Sequence, residues 1–220
     1  MKSKNRTLEK TYWDKFYASW VINVPSQFGV FVATELQDKN IVVEFGSGNG
    51  RDSLYFATLG HIVVAMDISK EAIQKCNSSV DTQGIKHAEF IEGDIAKSED
   101  VKEAIFIARE YANKEDTNLV FYSRFVMHTL DDDQEKAFLS SLLSVMRKGE
   151  KVYFEFRSQE DSSLIKHYGN HFRRYVDAIR FTKDLTNDYD MDIDYRIIGQ
   201  GMAKYKEEDP FVARIIGTKR

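Results

Sequence analysis

A chain of 220 residues suits one α/β domain with room for a short additional segment, and it is long enough to bury a sizeable core. Its composition is 42% hydrophobic and 30% charged, with two prolines and no Gly/Ser-rich or repetitive stretch to serve as a linker. A formal net charge of -4 argues against a surface built to neutralise the phosphates of a long nucleic acid, so any basic site must be local.

Met1 to Arg6 is basic but leads into a mixed stretch, unlike a secretory signal, and no segment approaches the roughly 20 apolar residues of a membrane span. The single cysteine, Cys76, can form no internal disulfide and brings no zinc-ligand cluster, which suits a reducing cytoplasm. It reads as a half-buried helix residue.

In chain order, the aromatic-rich stretch from Thr7 to Phe31 comes first. On a helix, Tyr12, Trp13, Phe16 and Tyr17 would form one aromatic stripe; most members should pack on the core, with Trp13 expected at a cofactor and Tyr12 at an acceptor. Ser26 is placed to cap a second helix running to Leu36. Apolar runs bounded by turn residues then predict strands at Ile41 to Phe45, Ile62 to Met66, Glu89 to Ile91, Leu119 to Tyr122 and Lys151 to Phe156. Helical spacing fills the intervals at Arg51 to Leu59, Ser69 to Ser78, Val101 to Tyr111 and Asp133 to Met146. This alternation predicts a mainly parallel sheet covered on both faces. Two further runs, Asp192 to Ile198 and Phe211 to Thr218, read as a terminal antiparallel pair. The whole is expected to be a single domain spanning 1–220: a helical cap over 1–36, a cofactor-binding core over 37–158, a lid over 159–190 and a β-hairpin over 191–220.

The most informative stretch runs from Ile41 to Asp52, where a strand ends in Glu44-Phe45-Gly46-Ser47-Gly48-Asn49-Gly50 and a helix opens. Glycines at 46, 48 and 50 permit positive φ and let a ligand lie against bare backbone. A dinucleotide fold prefers a third glycine one residue later, where this chain has Arg51, so a pyrophosphate fits less well. Glu44 would repel phosphate and attract a cationic amino-acid headgroup. Asp67, at the end of the next strand, stands where an acidic side chain accepts both hydroxyls of a ribose. Asp94 follows the third strand, where it could accept an adenine amino proton, with Ile68 and Ile95 flanking the ring.

These residues, with Val64-Ala65-Met66-Asp67-Ile68-Ser69, Glu92-Gly93-Asp94-Ile95 and Met146-Arg147-Lys148-Gly149-Glu150, resemble the class I S-adenosylmethionine-dependent methyltransferases. The resemblance covers roughly Ile41 to Phe156 plus the terminal strand pair. It implies a Rossmann-like, seven-stranded, mostly parallel sheet with an antiparallel last strand, and S-adenosylmethionine as cofactor. The implied contacts are Glu44, Gly46, Ser47, Gly48, Gly50, Asp67, Ile68, Asp94, Ile95, Tyr122 and Trp13. Lys148 stands where the family usually has proline, which affects only a turn.

The acceptor should lie beyond the fourth and fifth strands, at their carboxyl ends. There two arginines, Arg124 and Arg157, end neighbouring strands, and the expected lid adds His171, Arg173 and Arg174. Together they could converge on a phosphate-like or carboxylate group, although Arg157 has Glu155 and Glu160 at hand for a structural ion pair. His128, just after the fourth strand, is the candidate base should the acceptor be a hydroxyl. Asp131-Asp132-Asp133 is explained by helix capping, so no metal is expected. At a finer level, Tyr122 to Leu130, Glu155 to Ser158, His167 to Tyr175 and Gly201 to Arg214 resemble small methyltransferases found with bacterial surface-polysaccharide genes, some of which methylate phosphate or phosphoramidate groups. The expected partner is therefore a small anionic acceptor and not a nucleic acid. The alternatives are a methyltransferase for another small carboxylate or hydroxyl metabolite, a nucleotide-dependent oxidoreductase, a nucleic-acid methyltransferase, against which the net charge counts, and a non-catalytic S-adenosylmethionine-binding subunit.

Overall fold

The computed structural model describes residues 2–19, 24–36, 38–167 and 172–220. Seven strands, β1 (Ile41–Phe45), β2 (Ile62–Asp67), β3 (Ala88–Glu92), β4 (Leu119–Arg124), β5 (Lys151–Arg157), β6 (Met191–Gly199) and β7 (Val212–Lys219), form one sheet in the order β3-β2-β1-β4-β5-β7-β6. The first five run parallel, and β7 lies antiparallel between β5 and β6. The described helices are α1 (Lys2–Ser19), α2 (Gln27–Glu35), α3 (Arg51–Thr58), α4 (Lys70–Gln83), α5 (Ser98–Glu115), α6 (Asp132–Leu143) and α7 (Ala178–Asp188).

Alternation along each strand divides the core into two layers. Ile41, Val43 and Phe45 of β1, Val64 and Met66 of β2, and Phe121 of β4 share one layer with α5, α6 and α7. Val42, Val63, Ala65, Val120 and Tyr122 project the other way, onto α2, α3 and α4. Both faces are covered, so the strands are apolar throughout rather than alternating. Strand order turns outward in opposite directions from β1 and β4, which opens a crevice at their carboxyl ends where α/β sheets bind ligands.

Ser26 caps α2 as its position predicts, accepting a hydrogen bond from Gly29 N at 2.8 Å. Asp131 caps α6 in a reciprocal box with Gln134. The stretch expected to be a lid divides in two. Its second half is α7, whose Phe181 packs against Phe154 and Phe156 with ring centroids 5.3 and 4.9 Å apart. This helix belongs to the core because its apolar side, Ala178, Phe181 and Leu185, is as buried as the sheet beneath it. Of the described residues of this stretch, 159–167 and 172–175 lie outside the helix, and Arg173 among them borders the crevice, together with the connection from β6 to β7.

Helix α1 lies across the carboxyl ends of β2 and β3. Arg6 pairs with Asp94, Lys10 with Glu92, and Asp14 accepts a 2.7 Å hydrogen bond from Ser69 Oγ. Lys75 of α4 donates to the carbonyl of Ala18 at 3.0 Å, fastening the helix end. No helix of the described residues is long and apolar enough to cross a membrane.

Candidate functional site

A cavity of about 740 Å³ occupies the crevice, within the range of small-molecule sites. Its floor is the loop after β1. Gly46, Gly48 and Gly50 all adopt positive φ (78°, 55° and 74°), as the turn demands. Only Gly46, Ser47 and Asn49 line the cavity, while Gly48 and Gly50 shape the loop from behind. A β-carbon on Gly50 would lie 2.8 Å from Cys76 Sγ, so this glycine exists for close helix packing rather than ligand contact. Cys76 is correspondingly buried, not half-buried, and its thiol donates to Gly48 O.

Asp67 is buried at the end of β2 and lines the cavity, accepting Gly48 N at 2.8 Å and Ser69 N at 2.9 Å. Burial pushes its carboxyl up to about 6 despite those two bonds. Each oxygen keeps a lone pair, so the group can still accept two hydroxyls. Glu44 also lines the cavity; burial and then the nearby Asp52 carboxylate raise its pKa well above the usual range, against a bond from Ser53 Oγ. Ser47 Oγ is buried and has no hydrogen-bond partner among the described residues. An orphaned hydroxyl and two acidic groups whose charge is disfavoured by burial fit a ligand with hydroxyls and a cationic amine. Ile68, Ile95 and Trp13 add apolar wall.

Two expected cofactor contacts do not line this cavity. Asp94 borders an adjoining cavity that shares Arg6, Ile68 and Gly93 with this one, and its carboxylate is held by Arg6 of α1 and by Ala96 N at 2.9 Å. Tyr122 is fully buried on the α2/α3/α4 side of the sheet, because its place in β4 alternates with Phe121. Its hydroxyl donates to Asp52 Oδ2 at 2.8 Å and so braces α3 from below.

On the acceptor side, Arg124 lines the cavity with its guanidinium 4.2 Å over the Phe125 ring. Its Nε donates to Glu155 at 2.8 Å, and Arg214 donates to the other oxygen of the same carboxylate at 2.8 Å. Burial works against the charge on Arg124, but Glu155 and Asp52 outweigh it. Phe125 itself has φ 59°, a left-handed conformation costly for a bulky residue, fixed by its amide donating to Glu155 O at 2.7 Å. Strain of this kind concentrates at functional sites.

Arg157 also borders the cavity but is neutralised by Asp161 at 2.8 Å and Glu208 at 2.5 Å, which makes it a strut between β5 and the β6–β7 connection. Arg174 is directed away, paired with Asp132 and Glu135 of α6, and is withdrawn as an acceptor contact. Arg173 does line the cavity; burial and then the neighbouring Arg157 lower its pKa. His171 lies outside the described residues. Tyr12 does not line the cavity; it packs on Trp13 and Phe16, while Phe16 and Tyr17 of the same stripe face inward. A helix of uncertain rotation could not be resolved to this level from spacing alone.

His128 lines the cavity, in the short helical turn Met127–Thr129. Its Nδ1 accepts from Arg157 N at 3.3 Å, so the neutral ring carries its proton on Nε2. That tautomer offers a donor there, which corrects the expectation of a base. Arg51, Phe125, Lys204 and Tyr205 are among the cavity-lining residues that sequence reasoning did not assign to the site. Arg51 had been weighed only as an obstacle to pyrophosphate, and the last two lie in a connection with no motif.

Residues 42–149 match the protein family described as a methyltransferase domain. That stretch, just under half of the chain, is similar to a methyltransferase domain. Its Rossmann-like sheet is the fold of solved S-adenosylmethionine-dependent methyltransferases, and one neighbour, a glycopeptide N-methyltransferase, was solved with S-adenosylmethionine. Solved structures align over most of the chain. An S-adenosylmethionine-dependent methyltransferase from Anabaena variabilis is 16% identical, with a TM-score of 0.69, covering 98% of this chain and 95% of that one. The magnesium protoporphyrin IX methyltransferase of Synechocystis, solved with bound S-adenosylhomocysteine, is 13% identical, with a TM-score of 0.67 and coverage of 98% and 100%. A S-adenosylmethionine-dependent methyltransferase from Methanosarcina mazei is 16% identical, with a TM-score of 0.64 and coverage of 86% and 96%. At such identities the likeness is one of fold. No curated protein matches the chain in sequence.

Proposed function

We propose that the chain transfers a methyl group from S-adenosylmethionine to an oxygen of a small anionic acceptor. The observation that carries this reading is the split character of one cavity. Acidic Glu44 and Asp67 line it from the ends of β1 and β2, and Arg124, Arg173 and Lys204 line it from the end of β4, the segment after β5 and the β6–β7 connection, in a protein of net negative charge. When bound, the donor supplies a methyl group made electrophilic by its sulfonium. Asp67 would accept its ribose hydroxyls, Glu44 its ammonium, and Ile68, Ile95 and Trp13 would pack on its base.

The residues beyond β4 and β5 then act by positioning. Arg124, braced by Glu155 and stacked on Phe125, presents fixed donors to an acceptor anion, and Arg173 and Lys204 add charge around it. An anionic oxygen needs no proton removed, which agrees with His128 acting as an Nε2 donor. Helix α1 and the β6–β7 connection exclude water from the reacting atoms. Phosphate-, phosphoramidate- and sugar-linked acids of surface-polysaccharide chemistry carry the required charge, and the finer sequence resemblance favours them.

Incubation of the purified protein with radiolabelled S-adenosylmethionine and a panel of phosphorylated, phosphoramidate and carboxylate acceptors, beside neutral sugars, tests the reading. Methylation confined to the anions supports it. Preference for neutral sugars, or for none of the panel despite donor binding, refutes it.

A further inference from the structure

The cavity wall holds one guanidinium that neither end of the reaction yet uses. Arg51 opens α3 immediately after Gly50 and lines the cavity beside Glu44, Asp52 and Tyr17. Burial, and then the charge on Arg124, depress its pKa, and Asp52 compensates only in part. Among the described residues Arg51 makes no ion pair or hydrogen bond. Of the other arginines of this wall, Arg124 is held by Glu155, Arg157 by Asp161 and Glu208, and Arg6 by Asp94.

Nor is Asp52 turned toward it. Its Oδ1 accepts Ser26 N at 2.6 Å, and its Oδ2 accepts Ser26 Oγ at 2.7 Å and Tyr122 Oη at 2.8 Å. A half-buried guanidinium beside a second one, without a carboxylate of its own, is unfavourable until an anion enters. Two groups could supply that anion: the acceptor, or the amino-acid end of the donor.

The position decides between them. Arg51 opens α3 directly after the glycine loop and lies close enough to Glu44 for its charge to favour that carboxylate, and the amino-acid end of S-adenosylmethionine carries an ammonium and a carboxylate on one carbon. A zwitterion of that kind is matched by one acid and one base side by side. We infer that Arg51 binds the carboxylate of the donor's methionine arm while Glu44 takes the ammonium, which leaves Arg124, Arg173 and Lys204 for the acceptor. The assignment rests on the donor orientation proposed above.

The test is calorimetric titration of the full chain and of Arg51→Gln with two ligands: S-adenosylhomocysteine, and 5′-deoxy-5′-methylthioadenosine, which keeps the nucleoside and sulfur but lacks the amino acid. Loss of one charge-assisted bond predicts that Arg51→Gln weakens S-adenosylhomocysteine roughly ten- to hundredfold. Methylthioadenosine should bind both proteins with affinities within about twofold of each other, and Arg51→Lys should recover part of the loss. Equal weakening of both ligands, or an unchanged affinity for S-adenosylhomocysteine, overturns the assignment to Arg51 and leaves the donor site standing. Binding of neither ligand to the unmodified chain overturns the donor site and the assignment together. Circular dichroism melts of each variant exclude unfolding as the cause.

Discussion

The hydroxyl of Tyr17 rests on Gly48, in the space a side chain at position 48 would fill: a β-carbon there would lie 2.4 Å from Tyr17 Oη. The aromatic stripe of α1 and the glycine loop are therefore shaped to each other. Gly48→Ala must displace the ring and also hold a non-glycine residue at φ 55°. The left-handed strain alone is about 1–2 kcal/mol, which lowers Tm by roughly 2–8 °C in a chain of this size. Affinity for S-adenosylhomocysteine should fall at least about tenfold. Calorimetry and a thermal melt measure both, and an alanine variant with undiminished affinity would show that Tyr17 does not register the loop.

Donor binding should weaken in acid. Asp67 titrates near 6 without ligand because burial disfavours its charge, and Glu44 is raised in the same direction. Ribose hydroxyls and an ammonium favour the ionised forms, so binding must expel whatever protons these groups hold. The same shift acts on the fold: between the unfolded carboxyl pKa of about 3.9 and about 6 the native state holds the extra proton, and the ligand-free protein loses stability as pH rises through that window. Titration calorimetry from pH 5 to 8 should give a Kd that tightens with pH up to about 6 and then levels. Asp67→Asn should flatten the Asp67 part of this slope, and a Kd independent of pH in the unmodified protein would contradict it.

Arg124→Gln separates acceptor from donor recognition. Glu155 keeps its bond from Arg214, so the buried carboxylate is not stranded. Once an anionic acceptor is in hand, kcat/KM for it should fall roughly ten- to hundredfold, with S-adenosylhomocysteine affinity changed by less than about threefold. A loss shared equally by both ligands would move Arg124 to the donor side.

His128→Ala should lower kcat by less than about tenfold and keep the shape of the pH–rate profile. General bases contribute about 10²–10⁴-fold. A loss of that size, with the acid limb of the profile removed, would restore the base role that the Arg157 amide at 3.3 Å argues against.

Seven strands follow from apolar runs punctuated by glycine and acidic residues, and here sequence and structure agree because burial on both faces leaves the strong signal of Ile41-Val42-Val43 or Ile62-Val63-Val64. The positions of Glu44, Asp67, Ile68 and Ile95 were equally legible, since each sits at a strand end that the pattern fixes. What could not be read was partnership. Arg174 and Asp94 carry the right charge in the right stretch, but their carboxylate and guanidinium partners lie 39 and 88 residues away in sequence. Tyr122 was misassigned by the parity of one strand position. Lys204 and Tyr205 reach the cavity through a connection whose course depends on Arg157 and Glu208 meeting across 51 residues.

The fastening of α1 has a consequence for traffic through the site. Arg6–Asp94, Lys10–Glu92 and Asp14–Ser69 tie the helix down by polar latches beside its aromatic stripe, and the Lys10 pair is exposed to solvent. Such latches are individually weak and are loosened by dissolved ions. Departure of the spent nucleoside is therefore an unzipping, one latch at a time, whose pace is set by ionic strength. In stopped-flow displacement of S-adenosylhomocysteine, koff should rise between 50 mM and 500 mM salt, while removal of the single Lys10 charge should reproduce part of that rise at low salt.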